Sequence, residues 1–175
     1  MSSDFHTNPQ SICPLSSPDH LDVDQVAFPH SLFRAYLKAL FSKKAGLKRD
    51  ESVPLLGLQS HFTVDPQWLT EYLNICQWES SSAHQAIPLT VAQVYAAPLQ
   101  TALLTHTHCP VPILGVVHAG NEMWSRLPLY VDTEYVLKVW FGETRWKAKG
   151  FEFDLHTTVS HPQTQEVHWL SLIHI

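Results

Sequence analysis

The feature that most constrains the fold is an alternation of apolar and polar residues in the C-terminal half of the chain. The clearest case is residues 151–159, Phe-Glu-Phe-Asp-Leu-His-Thr-Thr-Val. A period of two predicts strands with one buried face and one wet face. Turn residues separate them, at Lys149 and Gly150 and again at Pro162. The predicted strands are antiparallel and lie near 113–124, 134–147, 150–160 and 165–170.

The segment before these strands predicts a helix that carries no charge. From Pro98 to about His106 the sequence has no Asp, Glu, Lys or Arg, and Leu99 and Leu103 share one face with His106. A helix without a charged face is expected to be central and buried. An uncharged helix followed by antiparallel strands predicts an α+β domain in which the sheet wraps around the helix.

Another helix is predicted from local signals near residue 65. Asp65 is typical of an N-cap and Pro66 of the first helical turn. The apolar face that follows includes Leu69 and ends at Cys76, so Cys76 is expected to be a small buried hydrophobic residue.

The chain divides into three regions by composition. Residues 1–28 lack periodicity and predict a disordered or loosely draped arm. Residues 29–49 predict an amphipathic helix with six basic residues and no acidic one. Its basic face is interpreted as solvated, with an anionic lipid, a phosphorylated cofactor or a nucleic acid as alternative partners. Residues 50–170 are predicted to form the α+β domain.

Composition narrows the functional classes. Of the 175 residues, 45% are hydrophobic and 15% charged, which excludes a wholly disordered chain. No apolar run approaches the roughly 18 residues of a membrane span, so we expect no stable membrane insertion, and we expect no nucleic-acid partner. No signal peptide is visible. The odd number of cysteines, three, disfavours a disulfide framework, and together these features predict a cytoplasmic protein.

Four strings in this order resemble the MaoC-like acyl dehydratases, the hotdog-fold family that includes (R)-specific enoyl-CoA hydratases. The strings are His61-Phe62-Thr63-Val64-Asp65, Pro88-Leu89-Thr90, Leu114-Gly115-Val116-Val117-His118 followed by Asn121, and Lys149-Gly150-Phe151-Glu152-Phe153. The resemblance covers about residues 28–169. It is closest to the N-terminal half of the two-hotdog members, and it implies a hotdog fold.

The resemblance also implies a chemistry: the reversible hydration of trans-2-enoyl thioesters. In this family an Asp and a His that are separated by four residues act on the water, and amides at a helix N-terminus stabilise the developing enolate. The family motif, roughly Gly-Asp-x-Asn-Pro-(Ile/Leu)-His, is absent here, so no catalytic residues are expected in this chain. Glu79 and His84 have the spacing, but they lack the Asp and the Asn-Pro core and are interpreted as polar loop residues.

What the family's N-terminal half contributes is the acyl pocket. The candidate substrate-binding residues are Val94, Leu99, Leu103, Val116, Val117 and His118. Plain core packing is the alternative for each apolar member, and a hydrogen-bonded core histidine is the alternative for His118.

A zinc site at His106, His108 and Cys109 is disfavoured, because no second ligand pair appears in the sequence. We therefore expect no metal and no cofactor.

Three functions are compatible with these observations. The favoured one is the acyl-pocket half of an acyl-thioester dehydratase or hydratase. Its partners are an acyl-CoA or acyl carrier protein substrate and either a missing C-terminal hotdog half or a second copy of the chain. A non-catalytic acyl-binding or partner-pairing module is the alternative. A hotdog thioesterase is less favoured because the uncharged helix lacks a carboxylate.

The last six residues have a second interpretation. Residues 170–175 are what the end sequence of a transposase adapter, used in preparing sequencing libraries, encodes in one reading frame. We interpret them as an adapter scar. The alternative is a native apolar strand end, since Leu170, Leu172 and Ile173 would pack acceptably.

Overall fold

The computed structural model describes residues 18–28, 37, 44–78 and 86–175. Most of the predicted basic helix and the pair Glu79 and His84 lie outside these residues. In chain order the elements are strands β1 (Asp22–Gln25) and β2 (Leu56–Thr63), helices α1 (Pro66–Ile75) and α2 (Leu89–Leu104), and strands β3 (Gly120–Ser125), β4 (Glu134–Lys147), β5 (Gly150–Ser160) and β6 (Val167–His174). Neither described helix is long and apolar enough to cross a membrane.

The strands form one six-stranded sheet in the order β1-β2-β4-β5-β6-β3. β1 is parallel to β2, and every other neighbouring pair is antiparallel. The predicted strands near 134–147, 150–160 and 165–170 are confirmed. The strand expected near 113–124 begins only at Gly120.

Strands β1 and β2 were not predicted from the sequence. β1 lies in the arm that was expected to be disordered. β1 has the sequence Asp-Val-Asp-Gln, which carries no strand signal, and it is held by main-chain pairing with β2. The pairing is extended by the Val26 amide, which donates to the carbonyl of Gln59 at 2.9 Å. The expectation of disorder is therefore wrong for residues 18–28, because a short edge strand becomes ordered when it pairs with a neighbouring strand.

The uncharged helix is confirmed as the centre of the domain. α2 packs on one face of the sheet, and Val91, Ala96, Leu99 and Leu103 are fully buried. Its predicted start at Pro98 is wrong, because the helix begins at Leu89 and Pro98 lies inside it. Pro98 cannot donate to the carbonyl of Val94, but the buried residues on both sides of it hold the helix together.

α1 begins as the sequence predicts. Asp65 is its N-cap and its carboxylate accepts from the Trp68 amide at 2.8 Å, with Pro66 in the first turn. Cys76, however, is the C-cap and is exposed. The expectation that it is buried is wrong, because the helix ends one residue earlier and the chain turns away from the core.

The middle of the sheet, in β4, β5 and β6, is buried on both faces, which the alternation did not predict. His156, expected on the wet face, is 6% exposed, and its ring stacks on Trp140 with centroids 5.3 Å apart. Asp154 and Thr158, on the same face of β5, are also buried. We call this face, which points away from α2, the outer face.

The buried Asp154 on the outer face is compensated by two partners. Arg145 binds its two carboxylate oxygens at 2.7 and 2.5 Å, and His174 Nδ1 lies 2.8 Å from Oδ1. Burial alone would raise the pKa of Asp154, but the hydrogen bonds from Arg145 and His174 lower it below its ordinary value. The carboxylate thus stays charged inside the sheet.

Residues 170–175 form the end of β6 and the chain terminus. β6 pairs with β5 on one side and β3 on the other, and Leu170, Ser171, Leu172 and Ile173 are buried. The adapter origin of these residues stays a prediction.

The structure predicts a steric requirement at Gly142. A Cβ atom at this position would lie 2.2 Å from His156 Nε2 and 3.0 Å from the Cβ of Asp154. His156 is held by burial and by Trp140, so it cannot move away freely. We expect Gly142→Ala to destabilise the fold by about 1–3 kcal/mol through overpacking, measured as a lower thermal midpoint.

Gly120→Ala is the matched control, because it adds the same methyl group to another strand. Its Cβ would lie 3.7 Å from the nearest atom, on His174, which is ordinary contact. The midpoint should then stay close to that of the unsubstituted chain. Equal midpoints for both variants would contradict the steric account.

Candidate functional site

An apolar groove lies where the segment after α2 meets the β4–β5 turn. Its volume is about 480 Å³. One wall is the 111–119 segment and the other is residues 149–153, with Ile175 at the end. Among the described residues that line it, Lys149 and Glu152 are the charged ones. The groove is therefore an apolar trough with one positive and one negative group.

Local sequence explains both walls. In the first wall, Gly115 has φ of +99°, and the Val116 amide donates to the Ile113 carbonyl at 3.3 Å, closing a turn. In the second wall, Gly150 has φ of +154° and opens β5. Glycine takes these values without the cost that a Cβ imposes. Phe153 is tied to Ile175 by two main-chain hydrogen bonds, of 2.8 and 3.0 Å, which fix the groove at that point.

Two of the six sequence-predicted substrate residues lie in this groove. Val116 is half-buried and packs against the core, whereas Val117 is 73% exposed. His118 follows them and is exposed, with Nε2 3.1 Å from the carbonyl oxygen of Gly120. It precedes β3, so it is neither a strand residue nor a core histidine.

The other three predicted residues lie elsewhere. Leu99 and Leu103 are fully buried between α2 and the sheet, as plain core packing predicts. Val94 is 41% exposed on α2 and does not line the groove.

The sequence did not predict the residues of the second wall as site residues. Phe151 and Phe153 read as ordinary strand positions, because the signal that brings them to the groove is the register of β5 against β6. That register pairs residues about 20 positions apart, which one sequence does not reveal.

A second cavity, of about 500 Å³, lies at the other end of the domain. Its lining includes Phe28, Phe62 and Tyr95, with Asp65 and an ion pair between His61 and Glu134 at 3.5 Å. Both members of that pair are exposed. Burial raises the pKa of Tyr95, so its hydroxyl stays protonated. This cavity is aromatic and acidic, unlike the groove.

A line of polar side chains crosses the core under α2. Gln93 donates to Gln100 Oε1 at 3.0 Å, and Gln100 donates to Thr157 Oγ1 at 2.9 Å. The two glutamines are seven residues apart, which places them on one side of the helix. This line ties α2 to β5, and it supplies no acid–base pair.

The described structure has no metal site at His106, His108 and Cys109. The rings of His106 and His108 lie 5.2 Å apart at 71°, while Cys109 is buried and burial raises the pKa of its thiol. Among the residues that the structure describes, no three His, Cys, Asp or Glu side chains could hold a metal ion.

β3 lies at one edge of the sheet. It pairs with β6, and it has no second strand partner within the described part of the chain. An edge strand presents main-chain groups that can pair with another chain.

Comparison with solved structures identifies the same fold in several proteins. HtdX of Mycobacterium tuberculosis matches with a TM-score of 0.57 at 21% identity, over 67% of this chain and 49% of that chain. The C-terminally truncated HadBC complex of Mycobacterium tuberculosis, a 3R-hydroxyacyl-ACP dehydratase, matches with a TM-score of 0.58 at 12% identity, over 73% of this chain and 98% of that chain. An (R)-hydratase of A. caviae involved in PHA biosynthesis matches with a TM-score of 0.51 at 12% identity, over 73% and 97%.

These likenesses confirm the predicted α+β hotdog fold. The match spans about half of the length of HtdX. No protein-family profile and no curated protein sequence matches the chain.

Proposed function

We propose that this chain is the acyl-binding hotdog unit of an acyl-thioester hydratase or dehydratase, and that a second hotdog unit supplies the catalytic pair. The observation that carries the proposal is the apolar groove beside β3. The hotdog fold and the hydratase and dehydratase neighbours that share it support acyl thioesters as the class of substrate.

The groove has the size and chemistry for an acyl chain. Its volume of about 480 Å³ falls in the range of roughly 300–1,000 Å³ that is typical of ligand pockets. Val116, Val117 and Phe151 offer apolar surface, and each methylene buried there contributes about 0.8 kcal/mol. Lys149 at the groove supplies a positive charge for the phosphates that both CoA and acyl carrier protein carry on their pantetheine arm.

The described lining of the groove does not contain the family's Asp and His. Hydration needs an acid and a base within hydrogen-bond reach of the water, and among the described residues that line the groove only Lys149 and Glu152 are ionisable. In the whole sequence no Asp is followed by His five positions later. Glu79 and His84, which have the family's spacing, lie outside the described residues.

The second hotdog unit pairs with this one along β3. The edge of β3 that has no partner among the described strands lies next to the groove, because the 111–119 segment leads directly into the strand. That unit is either the C-terminal half of a longer chain or a second copy. The proposed pathway is fatty acid metabolism in the cytoplasm, a reducing compartment in keeping with the free thiols of Cys76 and Cys109.

Binding of saturated acyl-CoA tests the proposal, because a saturated chain cannot be hydrated. We expect calorimetric titration to show tighter binding for longer chains, by up to about fourfold for each added methylene, the equivalent of 0.8 kcal/mol. Val117→Asp should weaken octanoyl-CoA binding by at least about tenfold, because it places a charge against the chain.

Val94→Asp is the matched control, since it changes an exposed valine that does not line the groove. It should bind octanoyl-CoA as the unsubstituted chain does. Equal losses in the two variants, or affinity that does not depend on chain length, would contradict the assignment of the groove.

The non-catalytic alternative uses the same groove. In this alternative the chain has no catalytic partner. Adding a second hotdog unit to the chain would then leave bound enoyl-CoA unhydrated.

A further inference from the structure

The segment of residues 46–51 begins beside the first wall of the apolar groove. The Gly46 amide donates to the carbonyl of Pro110 at 2.9 Å. Pro110 comes directly before the 111–119 segment, which forms this wall. One end of residues 46–51 is therefore held at the groove by a main-chain hydrogen bond.

The other end of the segment is held beside the second wall. Trp146 Nε1 donates to the Glu51 carbonyl at 2.8 Å. Trp146 pairs with Phe151 across the β4–β5 turn, and the centroids of their rings lie 5.2 Å apart. Phe151 lines the groove. Residues 46–51 thus run from one wall of the groove to the other, and we call them the bridging segment.

A tight turn in the bridging segment presents two cations to solvent. The Glu51 amide donates to the Lys48 carbonyl at 3.1 Å, and the Lys48 amide donates to Glu51 Oε2 at 2.8 Å. These two hydrogen bonds fix the backbone between them, where Asp50 has φ of +69°. Lys48 and Arg49 are exposed. The turn therefore holds the backbone of both cations in place and leaves their side chains accessible.

These cations, like Lys149 in the groove lining, have no ion-pair partner within the described part of the chain. None of the ion pairs there includes Lys48, Arg49 or Lys149. Glu152, the carboxylate that lines the groove, is paired with Lys147 at 3.7 Å. Three exposed cations at this end of the groove are therefore available to an anion.

We propose that Lys48, Arg49 and Lys149 form a phosphate-binding rim for the carrier of the acyl thioester. The inference rests on the proposed function, because an acyl chain in the groove brings its carrier to the bridging segment. Phosphate is the anionic group that CoA and acyl carrier protein share on the pantetheine arm, and lysine and arginine side chains bind it through charge-assisted hydrogen bonds. The rim then holds the carrier by charge, while the groove holds the chain by apolar contact.

Thioesters that share an octanoyl chain and differ in their phosphates test the rim. The series is octanoyl-pantetheine, octanoyl-phosphopantetheine and octanoyl-CoA, titrated calorimetrically. We expect affinity to rise by at least about fivefold from the first to the last at low salt, and less at high salt, because salt screens exposed charges. A gain already complete with phosphopantetheine assigns the rim to the phosphate that carrier protein shares, and a gain seen only with CoA assigns it to the nucleotide phosphates.

Variants of the turn separate a phosphate contact from a structural role. Lys48→Gln and Arg49→Gln should each weaken octanoyl-CoA binding by about two- to fivefold, as expected for an exposed charge pair, and should leave octanoyl-pantetheine binding unchanged. Asp50→Asn should strengthen octanoyl-CoA binding, because it removes a carboxylate from the same turn. Arg126→Gln is the matched control, since it removes an exposed cation just after β3, at the end of that strand away from the groove. It should bind both ligands as the unsubstituted chain does.

The outcomes distinguish the rim from the groove. Equal affinities for octanoyl-pantetheine and octanoyl-CoA would overturn the rim and leave acyl binding in the groove intact. Losses in Lys48→Gln and Arg49→Gln that are the same for both ligands would also overturn it, because they would not depend on phosphate. If no octanoyl thioester binds, the proposed function itself is contradicted, and the rim with it.

Discussion

The purified 175-residue chain is expected to hydrate crotonyl-CoA no faster than a protein-free blank. General acid–base catalysis supplies about 10²–10⁴-fold, and the described residues that line the groove include only Lys149 and Glu152 as ionisable groups, neither of which is the family's Asp or His. The measurement is the loss of enoyl-thioester absorbance, with an active (R)-hydratase as the positive control.

Glu79 and His84 are the residues that would contradict this expectation. They alone have the family's spacing. If the chain turns over substrate, and Glu79→Gln and His84→Ala each abolish turnover, then the chain contains its own catalytic pair and needs no second unit to supply it.

Stability is expected to fall steeply as the pH drops from about 6.5 to about 4. Burial lowers the pKa of His156 from 6.5 to about 4. In this window the unfolded chain binds a proton at this histidine and the folded chain does not, so the free energy of unfolding rises with pH. The difference between the two pKa values corresponds to about 3 kcal/mol in the free energy of unfolding. This contribution is fully present above pH 6.5 and is lost at pH 4.

His156→Gln should remove most of this dependence, and His118→Gln, which changes an exposed histidine, should keep it. The measurement is urea unfolding at several pH values. Asp154 affects stability at lower pH, because its pKa is lowered in the folded chain. Its contribution to the free energy of unfolding is present above the pKa of the unfolded chain and is lost as the pH falls below about 4. Identical pH profiles for the unsubstituted chain and His156→Gln between pH 4 and 6.5 would contradict the account.

Local signals in the sequence predicted local structure. Asp65 and Pro66 fixed the start of α1, because capping depends on residues within one turn. The alternation in 151–159 predicted β5, and the absence of charge predicted that α2 is central. The start of α2 was predicted wrongly because Pro98 suits a first turn, whereas tertiary packing of Val91 and Ala96 extends the helix past it.

Features that depend on distant pairing were not predictable. β1 exists because β2 lies beside it. The ion pair of Asp154 with Arg145 and the stacking of His156 on Trp140 each join residues of two different strands. The resemblance brought Val116 and Val117 into consideration, but the wall opposite them comes from the β4–β5 turn, more than 30 residues along the chain.

Photoaffinity labelling tests the central claim, acyl binding in the groove, most directly. The probe is a fatty acyl-CoA that carries a diazirine near the end of its chain, and mass spectrometry maps the attachment site. Our account predicts labelling within residues 111–119 and 149–153, competed by octanoyl-CoA and reduced by Val117→Asp. Labelling at Phe28, Phe62 or Tyr95, in the aromatic cavity at the other end of the domain, would contradict it.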